Sequence, residues 1–206
     1  MARTPGFRAM RRSTPLLLTL LMLALPGAAR ADSATALFAG GCFWCMESDF
    51  QGRQGVLDVV SGFTGGTLEN PSYAGDHAGH FEAIEVTYDP SLISYAELLD
   101  IYWVNIDPFD NGGQFCDRGF SYRSAIFPGS PAERRLAQQS AKAVSARFDG
   151  AQVHTEIRPA GDFWPVEEYH QDYAVKNPLR YRFYRWNCGR DQRLEAIWGE
   201  RADRHD

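Results

Sequence analysis

Short strand patterns and helix signals follow one another along residues 34–158 in an order that few folds accommodate. Ala34 to Ala39 is an apolar run that ends at Gly40-Gly41, and a short helix is expected from about Cys42 to Gln51. Val56 to Phe63 reads as a second strand closed by Gly65-Gly66, and Phe81 to Tyr88 alternates as a third, ended by Asp89-Pro90. Ser94 with Glu97 forms a capping box ahead of an apolar stripe of Leu98, Leu99, Tyr102, Trp103 and Ile106. Tyr122 to Phe127 reads as a further strand. Ser130 with Glu133, and Pro131 at the first helical position, opens a second long helix that Gly150 stops. Val153 to Arg158 reads as the last strand.

The order is therefore β-α-β-β-α-β, followed by one more helix and strand. Its first six elements match the split β-α-β arrangement, so the expected fold class is α/β, a ferredoxin-like α/β sandwich. From Pro159 onward aromatic and polar residues mix without a period. An irregular C-terminal extension wrapping the sheet is expected there, with a short helix from Asp191 to Gly199. No repeat or low-complexity linker interrupts residues 34–200, which reads as one domain.

Charge is unevenly placed. Residues 1–31 carry Arg3, Arg8, Arg11, Arg12 and Arg30 and no acid, and the rest of the chain has 16 basic against 26 acidic side chains. An acidic domain is a poor partner for nucleic acid, whose phosphates need a basic face. The basic stretch around Met10 to Arg12, the apolar run Leu16 to Leu25, the break at Pro26-Gly27 and the small-x-small pattern Ala29-Arg30-Ala31 read as a cleaved signal peptide over 1–31. An uncleaved anchor is the alternative. Arg11-Arg12 raises a twin-arginine route, which Ser13-Thr14-Pro15 supports poorly. The expected mature protein is residues 32–206, soluble, monomeric, and periplasmic or secreted.

The densest chemical signal is Gly40-Gly41-Cys42-Phe43-Trp44-Cys45-Met46-Glu47. Cys42 sits where a helix starts, and the free N–H groups and dipole there favour an anion, so its thiol is expected to ionise more easily than a free one. A small buried residue or half of a structural disulfide is the bland alternative. Cys42 and Cys45 also form a C-x-x-C pair, open to a redox dithiol, and His77 with His80 makes a zinc site conceivable. Glu82 shares parity with Ile84, Val86 and Tyr88, which puts a carboxylate on an apolar strand face. Burial there would raise its pKa and make it a general acid, whereas Glu85, of opposite parity, is expected to be solvated. Asp117 with Tyr122 and Arg123, and Tyr73 in Asn70-Pro71-Ser72-Tyr73, are further candidates if they converge on Cys42.

The stretch Gly-Cys-Phe-Trp-Cys-Met-Glu at 41–47 resembles the signature of the peptide methionine sulfoxide reductase A family. Gly62-Phe63-Thr64-Gly65-Gly66, Asn70 to Tyr73, Gly79-His80-Phe81-Glu82, Tyr88-Asp89-Pro90 and Asp117 to Ser124 follow in that family's order, so the likeness covers about residues 35–175. The resemblance implies reduction of the S epimer of methionine sulfoxide, protein-bound or free. It implies Cys42 as nucleophile, Glu82 as acid, Tyr73 and Tyr122 as donors to the sulfoxide oxygen, Phe43 and Trp44 as a slot for the substrate methyl group, and Asp117 as an ordering group. No metal or bound cofactor is implied, only an external dithiol such as thioredoxin or a periplasmic equivalent. The sequence departs from many members, which have Gly in place of Cys45 and Asn in place of Cys116. Cys188, in Asn187-Cys188-Gly189-Arg190, is the expected resolving cysteine, with Cys45 the alternative and Cys116 a third candidate.

Overall fold

The computed structural model describes residues 1–2, 32–159 and 161–202, and the signal-peptide segment beyond its first two residues lies outside the described residues. Six strands form one mixed sheet in the order β7-β6-β1-β3-β2-β8. Its centre is β1 (Ala34–Gly40), β2 (Val56–Thr64), β3 (Phe81–Tyr88) and β6 (Ser124–Phe127), each antiparallel to its neighbour. β7 (Glu156–Ile157) runs parallel to β6 at one edge, and β8 (Trp164–Pro165) antiparallel to β2 at the other. Two predicted strands are shorter than expected. Phe120–Tyr122 is a turn of 3₁₀ helix, so pairing begins only at Ser124, and of Val153 to Arg158 only Glu156–Ile157 pairs.

The two sides of the sheet differ, and strand parity explains how. Ala36, Phe38, Ile84, Val86, Tyr88 and Ile126 share one face and join the main core with the helices. These helices are α1 (Phe43–Phe50), α2 (Tyr95–Val104) and α3 (Pro131–Arg147). Phe38 is the hub, with its ring 5.5 Å from Phe50, 6.0 Å from Tyr95 and 5.2 Å from Tyr102. The opposite face holds a smaller cluster of Ala39, Phe81, Ala83, Ala125 and Phe127. Both expected N-caps form: Ser94 and Glu97 make the reciprocal box, and Ser130 Oγ accepts from Glu133 N at 3.2 Å.

The region after Pro159 is not the irregular chain its sequence suggests. It holds α4 (Tyr173–Lys176), α5 (Pro178–Asn187) and α6 (Arg190–Trp198), so the short helix expected at Asp191–Gly199 forms and a ten-residue helix precedes it. Pro178 at the start of α5 gave the one local signal. The inward side of α5 is polar, with Tyr181 and Arg185 buried while Leu179, Phe183 and Trp186 are exposed, so the usual apolar stripe points the wrong way. Ion pairs fasten α5 instead, while Leu194 and Trp198 of α6 are buried in the main core. Asp49 on α1 is fully buried and receives Arg185 Nη1 at 2.8 Å and Arg190 Nη2 at 3.0 Å. Arg190 Nη2 also donates to Asn105 O at 2.6 Å, and its guanidinium lies 4.5 Å from the Phe115 ring. Among the described residues no helix is long and apolar enough to cross a membrane.

Candidate active site

The turn from β1 into α1 fixes the reactive sulfur. Gly41 adopts φ +89°, and a Cβ there would come within 2.7 Å of Gln114 Cβ, so both backbone and space require glycine. Cys42 follows as the N-cap of α1. Glu82 comes from β3 and, as its parity demands, projects to the helical side of the sheet. Phe43 N–H donates to Glu82 Oε2 at 3.1 Å, which brings the carboxyl beside the start of α1. Cys42, Phe43, Trp44, Tyr73, Glu82, Asp117, Tyr122 and Tyr184 line one cavity of about 60 Å³. Six sequence segments thus converge, and seven of these eight residues are ones the sequence singles out.

Glu82 is 1% exposed, and Oε1 has no hydrogen-bond partner, so desolvation dominates its titration. Burial, with a smaller contribution from the Asp117 charge, pushes its pKa up to about 8 against the pull of the Phe43 N–H and Tyr122. At neutral pH this carboxyl carries a proton. Burial, with the Glu82 charge next, pushes both Tyr73 and Tyr122 upward, so both remain phenols able to donate.

The cysteine expectation needs correction. Cys42 does not ionise more readily than a free thiol, because burial pushes its pKa well up and Cys45 and Glu82 add to the shift. The helix terminus is outweighed by the loss of water around the sulfur. Cys45 is the more acidic of the two. The hydrogen bond from Cys42 pulls it down to about 7 against burial, helped by Arg190 and Arg185. Both thiols are free and buried.

Cys188 is bonded to Cys116. Cys116 is exposed and directly precedes Asp117, whereas Cys188 caps the end of α5. The histidine pair serves packing. His80 Nε2 lies 2.9 Å from Leu68 O and His77 stacks on Phe63 at 5.0 Å, and among the described residues neither joins Cys42 and Cys45 in a ligand set.

A buried thiol and an un-ionised acid thus line one cavity. The comparisons agree with it. The family profile described as Peptide methionine sulfoxide reductase matches residues 34–202. This chain belongs to the peptide methionine sulfoxide reductase family. A relative from Caulobacter vibrioides, Peptide methionine sulfoxide reductase MsrA 2, is 50% identical over 185 residues, covering 88% of this chain and 94% of its own. Peptide methionine sulfoxide reductase MsrA of Bacillus licheniformis is 49% identical over 173 residues, covering 82% and 95%. Among solved structures, Mxr1 from Saccharomyces cerevisiae in reduced form superposes with TM-score 0.66 at 28% identity, over 72% of this chain and 88% of that one. Methionine sulfoxide reductase A of Corynebacterium diphtheriae gives 0.62 at 30% identity, over 73% and 78%.

Within this family member, several supports of the site escape a reading of local sequence. Trp44 is sandwiched by long-range contacts: its ring stacks on Tyr173 at 3.7 Å and its Nε1–H donates to His170 Nδ1 at 3.1 Å. The indole only donates, so Nδ1 of His170 is the acceptor and the ring is held neutral, in keeping with the downward push of burial on its pKa. Tyr184 enters the cavity from α5, meets Trp44 edge-on at 5.9 Å, and donates its hydroxyl to Asp117 Oδ2. The only sequence hint of these roles is a dense aromatic content without period.

Proposed function

We propose that the chain reduces the S epimer of methionine sulfoxide, free or within proteins, at the Cys42–Glu82 cavity. One observation carries the reading: a sulfur nucleophile and a protonated, water-excluded carboxyl line the same small cavity. Cys42 sulfur attacks the sulfoxide sulfur while Glu82 protonates the oxygen and the Tyr73 and Tyr122 hydroxyls bond it. In net terms one oxygen passes from the methionine sulfur to Cys42. The sulfoxide is reduced to the thioether and the thiol is oxidised to a sulfenic acid. Phe43 and Trp44 receive the methyl group, and exchanging methyl and oxygen would set a polar atom against those rings, which is the basis for epimer choice.

The sulfenic acid then condenses with Cys188, losing water and forming a Cys42–Cys188 bond. Cys116 attacks Cys188 and frees Cys42, which yields the Cys116–Cys188 pair. An external dithiol, thioredoxin or a periplasmic equivalent, reduces that pair by exchange, with exposed Cys116 as its entry point. The chemistry is carried by sulfur and protons throughout, so it calls for no bound cofactor. The signal-like residues 1–31 support a periplasmic or secreted enzyme. The central strand order β6-β1-β3-β2, all antiparallel, supports the ferredoxin-like reading of the core.

A general disulfide oxidoreductase working through Cys42 and Cys45 fits less well. Both thiols are buried, out of reach of a protein disulfide, and such an enzyme has no use for Glu82. The test is single and multiple turnover on separated epimers with the disulfides mapped by mass. Cys188→Ser is expected to release one equivalent of methionine and then stop. A Cys42–Cys45 bond in that variant, with full recycling, transfers resolution to Cys45.

A further inference from the structure

Attack on sulfur requires the Cys42 anion, yet burial keeps Cys42 a thiol, so its proton needs a destination. Glu82 already holds a proton and spends it on the sulfoxide oxygen. Tyr184 shares the cavity with Cys42 and with Asp117, the other carboxylate of its lining. Its hydroxyl donates to Asp117 Oδ2, it pulls the Cys42 thiol down against burial, and all three residues line the same cavity. A phenol both donates and accepts, so it can receive one proton on its oxygen while releasing its own.

We propose that Tyr184 is a catalytic residue that conducts the Cys42 proton to the Asp117 carboxylate. The Cys42 S–H bond breaks as an O–H bond forms on Tyr184. The original Tyr184 O–H breaks as a new one forms on Asp117 Oδ2. The products are the Cys42 thiolate and a neutral Asp117, with no change of oxidation state. Burial pushes Asp117 up, which eases its protonation, and pushes Tyr184 up as well, so the phenol passes protons without itself becoming an anion.

In the disulfide-bonded form both ends of this path are tied by the same bond. Cys116 precedes Asp117, Cys188 lies one helical turn beyond Tyr184, and the two are joined. Tyr184 is also braced edge-on against Trp44 while its hydroxyl bonds Asp117. The other titratable groups that bear on Cys42 are Cys45 on α1, Glu82 on β3 and the Tyr73 and Tyr122 phenols, and Arg190 bears on Asp117. Cys45 is the rival acceptor, since the Arg185 and Arg190 charges favour its anion.

The inference rests on the reading of Cys42 as the nucleophile, and the experiment separates the two. The rate of Cys42 alkylation by iodoacetamide, located by fragmentation mass spectrometry, is measured from pH 5 to 10 in the whole protein, alongside methionine release in a first turnover at pH 7. Tyr184→Phe keeps the ring against Trp44, and Asp117→Asn keeps the hydrogen bond but removes the acceptor. Both variants are expected to lose about tenfold to a hundredfold in first turnover, at the lower end of proton-transfer catalysis. Their alkylation profiles are expected to move to higher pH and regain the wild-type rate at the alkaline end, which a merely structural role would not produce. Superimposable profiles in both variants overturn the proposal, as does a shift seen in Cys45→Ser and absent from Tyr184→Phe. If wild-type protein released no methionine, the functional reading would fail while the alkylation shift still reported on the proton path.

Discussion

Residues 34–127 and residues 159–202 meet at Cys42 and contribute in opposite ways. The first region supplies the reacting groups from short regular elements: Cys42 from a helix cap, Glu82 from a strand, Asp117 from the small hairpin of β4 (Gly113–Gln114) and β5 (Asp117–Arg118). The second supplies what surrounds them: Tyr184 and His170 as walls, Arg185 and Arg190 as counter-charges, Cys188 as a sulfur partner. The first region is packed by apolar area against the sheet. The second adds a buried ion-pair cluster on Asp49 and one disulfide to a smaller apolar contribution from Val166, Leu194 and Trp198. A site can thus be built on rigid elements by local pattern and still owe its electrostatics to a distant segment held partly by polar contacts.

The largest effect belongs to the first region. Cys42→Ser is expected to abolish methionine release even in a single turnover, because a hydroxyl does not ionise in this range; any wild-type-like burst contradicts the assignment. Next, Glu82→Gln is expected to slow the first turnover by about 10² to 10⁴. The same residue gives a stability signature. Its folded pKa, about 8, lies above the unfolded value, so the folded state binds the extra proton between roughly pH 4.5 and 8. Stability from this group is therefore full at low pH and is lost as pH rises through that window. In urea unfolding, Glu82→Gln should gain on the wild type at pH 8 relative to pH 5, and an unchanged difference would show the carboxyl to be ionised at neutrality.

Asp49→Ala sharpens the contrast from the other side. It leaves Arg185 and Arg190 buried without their shared carboxylate, and breaking such a pair costs about 3–5 kcal/mol. Loss of less than about 1 kcal/mol would mean that the tail is fastened by other contacts. The smallest expected effect is Tyr73→Phe. Tyr73 is more than a third exposed and shares the oxygen with Glu82 and Tyr122, so its loss should cost about tenfold in first turnover, on the scale of one net hydrogen bond.

The contrast also explains what the sequence discloses. Glu82 was legible because strand parity is a strict period of two, and a carboxylate in phase with Ile84 and Val86 stands out. The helix limits followed from Ser94, Ser130 and Pro131, whose capping role is local. Tyr184 was not legible, since it works through Asp117, 67 residues away in the chain. Nor were the roles of Arg185 and Arg190, whose shared partner Asp49 lies 136 and 141 residues away in the chain. The acidity of Cys42 was misjudged for a related reason: the helix terminus is visible in sequence, while complete desolvation of the sulfur is a property of the assembled fold.

The decisive measurement is the pH dependence of methionine release in one turnover on the purified S epimer, wild type against Glu82→Gln. A protonated Glu82 facing Cys42 predicts one equivalent released per chain, a wild-type rate that falls as pH rises past about 8, and a slow variant lacking that alkaline limb. A variant as fast as the wild type, with the same limb, would contradict it.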